Sequence, residues 1–306
     1  MKKLQRIILV LSLAFGGTLA VAATSQAASD QTHYPITLRV GAVKTIIAHQ
    51  PKRIISLSPS ATEILFSIGA GKQVIAVDAD SNFPTSAPTS KLDGFTPNVE
   101  AIAAYKPDLV ILQSTAGKAS QVAQQLEKLK ISVLMEVTPS TLSDVYTEMT
   151  VDGQATNNQK KTFAKINSMK KAIAAAISSV TLKKPLSFFH ELDNTGYSAT
   201  STTFIGQVYK SFGLINVADA AATADSAGYP QLTPEAIIGA NPDLVFLADA
   251  QYGESPVTFA ARPGFSTLAA VTNNHVIALP SDISSRWGPR LVQFYQIIAN
   301  ALKSVI

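Results

Sequence analysis

The chain has 306 residues, enough for one large or two ordinary domains, and its 46% apolar and 15% charged residues leave ample material for buried cores. Three of its 25 basic residues (Lys2, Lys3, Arg6) and none of its 21 acidic ones lie in residues 1–28, so the remainder balances 22 against 21. That near-neutrality, with no basic run, excludes a phosphate-gripping nucleic-acid binder, and the absence of cysteine excludes disulfides and lipidation through an N-terminal cysteine.

Lys2, Lys3 and Arg6 precede an apolar run from Ile7 to about Ala23, and "SQAAS" follows with small residues suited to cleavage. Residues 1–28 therefore read as an export signal. A retained signal helix is the alternative. "HYPITLRVGAVKTIIAHQPKRI" alternates apolar and polar residues around Gly41 and predicts a short hairpin. Arg53–Leu57 is strand-like. Ser60, with Glu63 three residues later, predicts a capping box, and Gly69 a helix stop. "QVIAVD" is a second strand, and the turn-rich "SNFPTSAPTSKLDGFTP" follows. A helix from about Val99 to Tyr105 breaks at Pro107-Asp108 before strand Leu109–Leu112. A helix over 118–129 and a strand over 131–137 close the first half.

From Asn157 to Val180 the apolar residues Phe163, Ile166, Met169, Ile173, Ile177 and Val180 fall at steps of three and four with no Pro or Gly, which predicts one long amphipathic helix. The second half then restates the first: strand "LSFFHEL", helix "TTFIGQVYKSFG", the block "TPEAIIGANPDLVFL", short helix "FSTLAA", strand "HVIAL" and a closing helix with Pro289 in its first turn. The block repeats "PNVEAIAAYKPDLVIL" at an offset of 135, glutamate for glutamate (Glu100, Glu235). Strands alternating with helices imply an α/β fold with mainly parallel sheets. The expected organisation is a signal (1–28), an N-terminal lobe with its hairpin (29–156), a linking helix (157–181) and a C-terminal lobe (182–306): two similar Rossmann-like lobes facing one ligand cleft.

"PKRIISLSPSATEILFSIGAG", the two repeat blocks, the long helix between them and the closing "LPSDISSRWGPR" resemble, in order and over nearly all of 51–306, the helix-linked class III periplasmic substrate-binding proteins. These serve ABC importers of cobalamin, haem and iron–siderophore complexes. "GYPQLTPEAI" and "SDISSRWGPR" are most similar to the cobalamin type. The resemblance implies a ligand set in the cleft of Pro59, Asp80, Phe83, Phe95, Tyr197, Tyr229, Asp282, Arg286 and Trp287. Phe83 stands where the cobalamin type has a tyrosine, Phe95 lies within one residue of its cleft tryptophan, and Tyr229 replaces another. Other readings stay open: Pro59 as a turn proline, Trp287 packed on the final helix, Arg286 as partner of Asp282.

In the family the paired glutamates dock each lobe onto permease arginines. Read singly, Glu100 and Glu235 complement their helix dipoles. The implied partners are an ABC permease dimer with its ATPase subunits and a small-molecule chelate holding cobalt or iron. No resident cofactor is expected, and the protein is expected to be a periplasmic monomer. His33, His49, His190 and His275 lack ligand spacing, which argues against a free-metal site. Adjacent His190 and Glu191 point to opposite strand faces, leaving one axial contact from either as an option. No cysteine nucleophile, GxSxG, HExxH, Walker loop or GxGxxG is present, so an enzyme is not expected.

Overall fold

The computed structural model describes residues 31–40, 43–115 and 117–305. The expected signal and Gly41 lie outside the described residues. β1 (Ile36–Val40) and β2 (Val43–Ile47) form the expected antiparallel hairpin, with Ile36 opposite Ile47. Thr45 Oγ1 fastens it to the first lobe by donating to Val133 O at 2.7 Å.

The first lobe runs β3 (Ile54–Leu57), α1 (Pro59–Ser67), β4 (Val74–Val77), α2 (Val99–Ala104), β5 (Leu109–Gln113), α3 (Ala119–Lys128), β6 (Ser132–Glu136). Its sheet is parallel throughout, in the order β4-β3-β5-β6. Then come α4 (Leu142–Thr156) and α5 (Gln159–Ser178). The second lobe runs β7 (Ser187–Glu191), α6 (Phe204–Lys210), β8 (Ile215–Asn216), α7 (Pro234–Ala240), β9 (Leu244–Leu247), α8 (Pro256–Ala260), α9 (Ala269–Thr272), β10 (Val276–Ala278), α10 (Ser281–Ser285) and α11 (Leu291–Lys303). Its sheet is also parallel, in the order β10-β9-β7-β8. Both lobes thus place their second strand outside the first and run third and fourth on the other side. The sequence repeat is a repeat of topology.

The repeat's apolar middle supplies the buried strands. Leu109 to Leu112 and Leu244 to Leu247 are all fully enclosed, as strands covered on both faces must be. Its aspartate has a matching task in each lobe. Asp108 accepts from Lys52 N and Arg53 N at 2.8 and 3.0 Å. Asp243 accepts from Ser187 N and Ser187 Oγ at 2.8 and 2.9 Å. Each carboxylate therefore pins the entry of its lobe's first strand, satisfying backbone donors at the sheet end.

Three expectations need correction. The N-cap of α1 is Ser58, whose side chain accepts from Ala61 N, so the Ser60–Glu63 box does not form and Glu63 is free for another partner. Helix α4 was not expected. It opens on a capping box between Thr141 and Asp144 and ends at Asn157, which adopts a left-handed conformation. That turn delays α5 to Gln159. On α5, Ile166, Met169 and Ile173 are buried as the pattern predicts, but Phe163 is 68% exposed.

α5 packs against α4 on one side and α11 on the other. Around it one core runs unbroken from Ile54, Ile64 and Leu134 in the first lobe to Phe188, Phe246 and Phe294 in the second. Smaller cores cover the outer face of each sheet.

Candidate functional site

In open α/β sheets, ligand sites lie outside the carboxyl ends of the strands. Most of the predicted site residues follow such ends. Pro59 is the first residue of α1, directly after β3, and is half-buried. Asp80 and Phe83 follow β4, Tyr197 follows β7, and Asp282, Arg286 and Trp287 follow β10. The structure brings them together in two groups and leaves Phe95 apart.

The first group is a charged knot joining the lobes. Arg290 makes a two-point contact with Glu63: Nε donates to Oε2 at 2.9 Å and Nη2 to Oε1 at 2.5 Å. Arg286 Nη1 reaches Glu63 Oε1 at 3.3 Å and Asn82 Oδ1 at 2.7 Å, while Nη2 donates to Asp80 O at 3.0 Å. Asp282 Oδ1 closes the knot 2.8 Å from Arg286 Nη2, and Trp287 N donates to Ser60 Oγ at 3.0 Å. Arg286 is thus a partner of Asp282 and a cross-lobe tie at once. From Asp80 it takes the main-chain carbonyl, not the carboxylate.

Trp287 is half-buried: its ring lies 4.5 Å, centre to centre, from that of Phe204 of α6, and it packs against the shared core to which α11 contributes Leu291 and Phe294. Phe83 remains 41% exposed with the Arg290 guanidinium 4.3 Å above its ring. It lines a recess of about 440 Å³ with Glu63, Phe66, Lys165 and Arg290.

The second group is a pair of tyrosines. Residues 196–200 run antiparallel to 228–232, with Ser198 N donating to Pro230 O and Leu232 N to Gly196 O, so that Tyr197 sits opposite Gln231. Tyr197 and Tyr229 are each 42% exposed on this ladder. Gly196 is required there: its φ is +93°, and a Cβ would lie 2.3 Å from Leu232 O. Phe95 stands on a turn capped by Asp93, 71% exposed and without a ring contact among the described residues.

Glu100 and Glu235 occupy the second positions of α2 and α7, with Asn98 and Thr233 as the N-caps. Both are exposed. Neither has a side-chain partner among the described residues.

His190 and Glu191 do point apart. His190 is fully buried, with Nδ1 2.8 Å from Tyr209 Oη, and burial drives its pKa down to about 3. An axial contact from His190 is therefore ruled out. Glu191 accepts two bonds from Arg262, at 2.6 and 2.7 Å. Burial lifts its pKa to about 7 against the pull of that arginine. Glu191, Asp249 and Glu254 converge, but Arg262 stands among them, 3.0 Å from Glu254 Oε1.

Sequence reasoning missed Glu63 and Arg290 as a pair, because a glutamate three residues after a serine also fits a local cap. It missed a buried acidic group as well: Glu136 at the end of β6, with Glu148 and Asp152 on α4. Burial, then mutual repulsion, raises all three carboxyl pKa values, Glu148 to about 8.

Residues 54–283 match the family model described as periplasmic binding protein. The chain belongs to that family. It is 30% identical over 305 residues to an uncharacterised ABC transporter substrate-binding lipoprotein of Bacillus subtilis, covering 97% of this chain and 94% of the relative. It is 28% identical over 268 residues to the vitamin B12-binding protein of Vibrio parahaemolyticus, with 85% and 92% covered. A periplasmic haem-binding protein from Roseiflexus shares the fold at a TM-score of 0.72 and 23% identity, over 83% of this chain and 99% of that one. These relatives are substrate-binding transport proteins, not enzymes. Among the described residues no helix is long and apolar enough to cross a membrane.

Proposed function

We propose that this protein is exported to the periplasm and captures a corrinoid such as cobalamin between its lobes, delivering it to an ABC permease. One observation carries the choice of ligand. The two cleft arginines, Arg286 and Arg290, already face Glu63 and Asp282, whereas Phe95, Tyr197 and Tyr229 present exposed rings. Such a surface rewards a bulky, nearly neutral ligand through apolar contact, at roughly 25 cal/mol per Å² buried. It offers an anionic ferric chelate little uncommitted positive charge. Pro59, half-buried, and Phe83, exposed, would add apolar contact from the first lobe.

The test is isothermal titration of the purified protein with cyanocobalamin, followed in parallel through quenching of Trp287, the single tryptophan. The expected Kd is at or below about 1 μM. No heat with cobalamin alongside saturable binding of haemin or a ferric siderophore would replace the corrinoid with that chelate.

A further inference from the structure

Glu63 is a buried charge whose needs are met wholly from across the molecule. Its side chain is 1% exposed and lies in α1 of the first lobe. Its hydrogen bonds come from Arg286 and Arg290, which leave the second lobe between α10 and α11. Separating the lobes would strand a desolvated carboxylate, which is a strong force against opening. The two arginines do a second thing. Arg286 holds Asn82 Oδ1 and Asp80 O, and Arg290 covers the ring of Phe83. The loop 80–83 is therefore fixed by the groups that Glu63 fixes.

We propose that Glu63 is the positioning residue of the cleft: it sets the separation of the lobes and the placing of the 80–83 loop before ligand arrives, without touching ligand itself. The effect on ligand rests on the function proposed above; the effect on lobe separation does not. Preorganisation of this kind raises affinity by removing an ordering cost from the binding step.

The chain has no cysteine, so a labelled pair can be placed cleanly, one in each lobe, at the exposed Lys128 and Lys210 as Lys128→Cys and Lys210→Cys. Double electron–electron resonance on the ligand-free protein then reads lobe separation directly. In Glu63→Gln, similar in size but uncharged, the distance distribution is expected to broaden and move outward, and cobalamin affinity to fall about tenfold through faster release. Arg290→Lys keeps the charge and loses the two-point contact. It is expected to show a smaller shift in the same direction, and it decides the matter if Glu63→Gln does not fold. A purely structural Glu63 would lower Tm and leave the distances and release rate of the folded protein unchanged. An unchanged distance distribution in the folded variant overturns the proposal. If the parent protein binds no cobalamin, the ligand assignment falls while the distance measurement still judges the clasp.

Discussion

The buried carboxyl groups of Glu136, Glu148 and Asp152 make stability depend on pH in an unusual direction. A carboxyl whose pKa is raised on folding holds its proton longer in the native state than in the unfolded chain. Its contribution is intact below the unfolded pKa near 4.5 and is lost as pH rises through the folded value. For Glu148 that window runs to about 8. Glu148→Gln is therefore expected to be more stable than its parent at pH 8, by about 1–3 kcal/mol, with the gap closing toward pH 5. Calorimetric Tm values across that range check this, and a gap that does not change with pH refutes it. His190 acts the other way, losing stability as pH falls below about 6.5 toward its folded value near 3. Comparing the variant and its parent at each pH removes that common effect. None of this was legible in the sequence. Glu63, Glu136, Glu148 and Asp152 look like surface residues, and only the packing of distant segments encloses them. The exposed aromatics Phe83, Phe95, Tyr197 and Tyr229 were legible, because glycine- and proline-flanked loops after strands seldom bury a ring.

Elements with a local cause were read correctly. The strands of the repeat and the hairpin follow from patterns within a few residues. α4 escaped because its buried face includes Glu148 and Asp152, which break the apolar stripe a helix normally shows. Its Thr141–Asp144 cap was the one local signal. β8 has only two residues and too little sequence to show a period. The duplicated aspartates explain a conspicuous part of the repeat that an apolar pattern does not. Asp243 takes two hydrogen bonds from Ser187, and Ser187 Oγ accepts in turn from Asp243 N at 3.1 Å. Asp243→Ala leaves the first donor of β7 without this acceptor and is expected to cost about 1–2 kcal/mol. A lower urea midpoint with unchanged slope would report it. Asp108→Ala should behave alike, since it pins β3 in the same manner; a neutral result at both sites would mean that water replaces the carboxylates freely.

At the scale of the whole molecule, two features limit movement. The long helix α5 joins the halves, and the core around it is shared by both lobes. Opening would tear buried apolar contacts as well as the Glu63 clasp, so ligand should change the lobe angle by only a few degrees. Small-angle scattering with and without cobalamin is expected to give the same radius of gyration within about 1 Å, against the marked compaction of a hinge-closing protein. A receptor that hardly changes shape must be recognised by a fixed surface. In each lobe α2 or α7 runs back against its strands, so its first turn lies at the carboxyl edge of the sheet, on the side where the cleft opens. Glu100 and Glu235 stand there as equivalent, exposed and unpaired charges, one per lobe. Charges so placed would set the register and speed of docking onto a permease more than its tightness. Reversing both, Glu100→Lys with Glu235→Lys, should therefore leave cobalamin affinity within about twofold, because neither residue is among the proposed ligand contacts, and should abolish uptake in reconstituted vesicles carrying the cognate permease. Single reversals should each retain part of the activity, since the other lobe still seats, and raising salt should depress the parent toward the single variants by screening the remaining pair. Full uptake by the double variant would leave the two glutamates with nothing but their helix ends to serve.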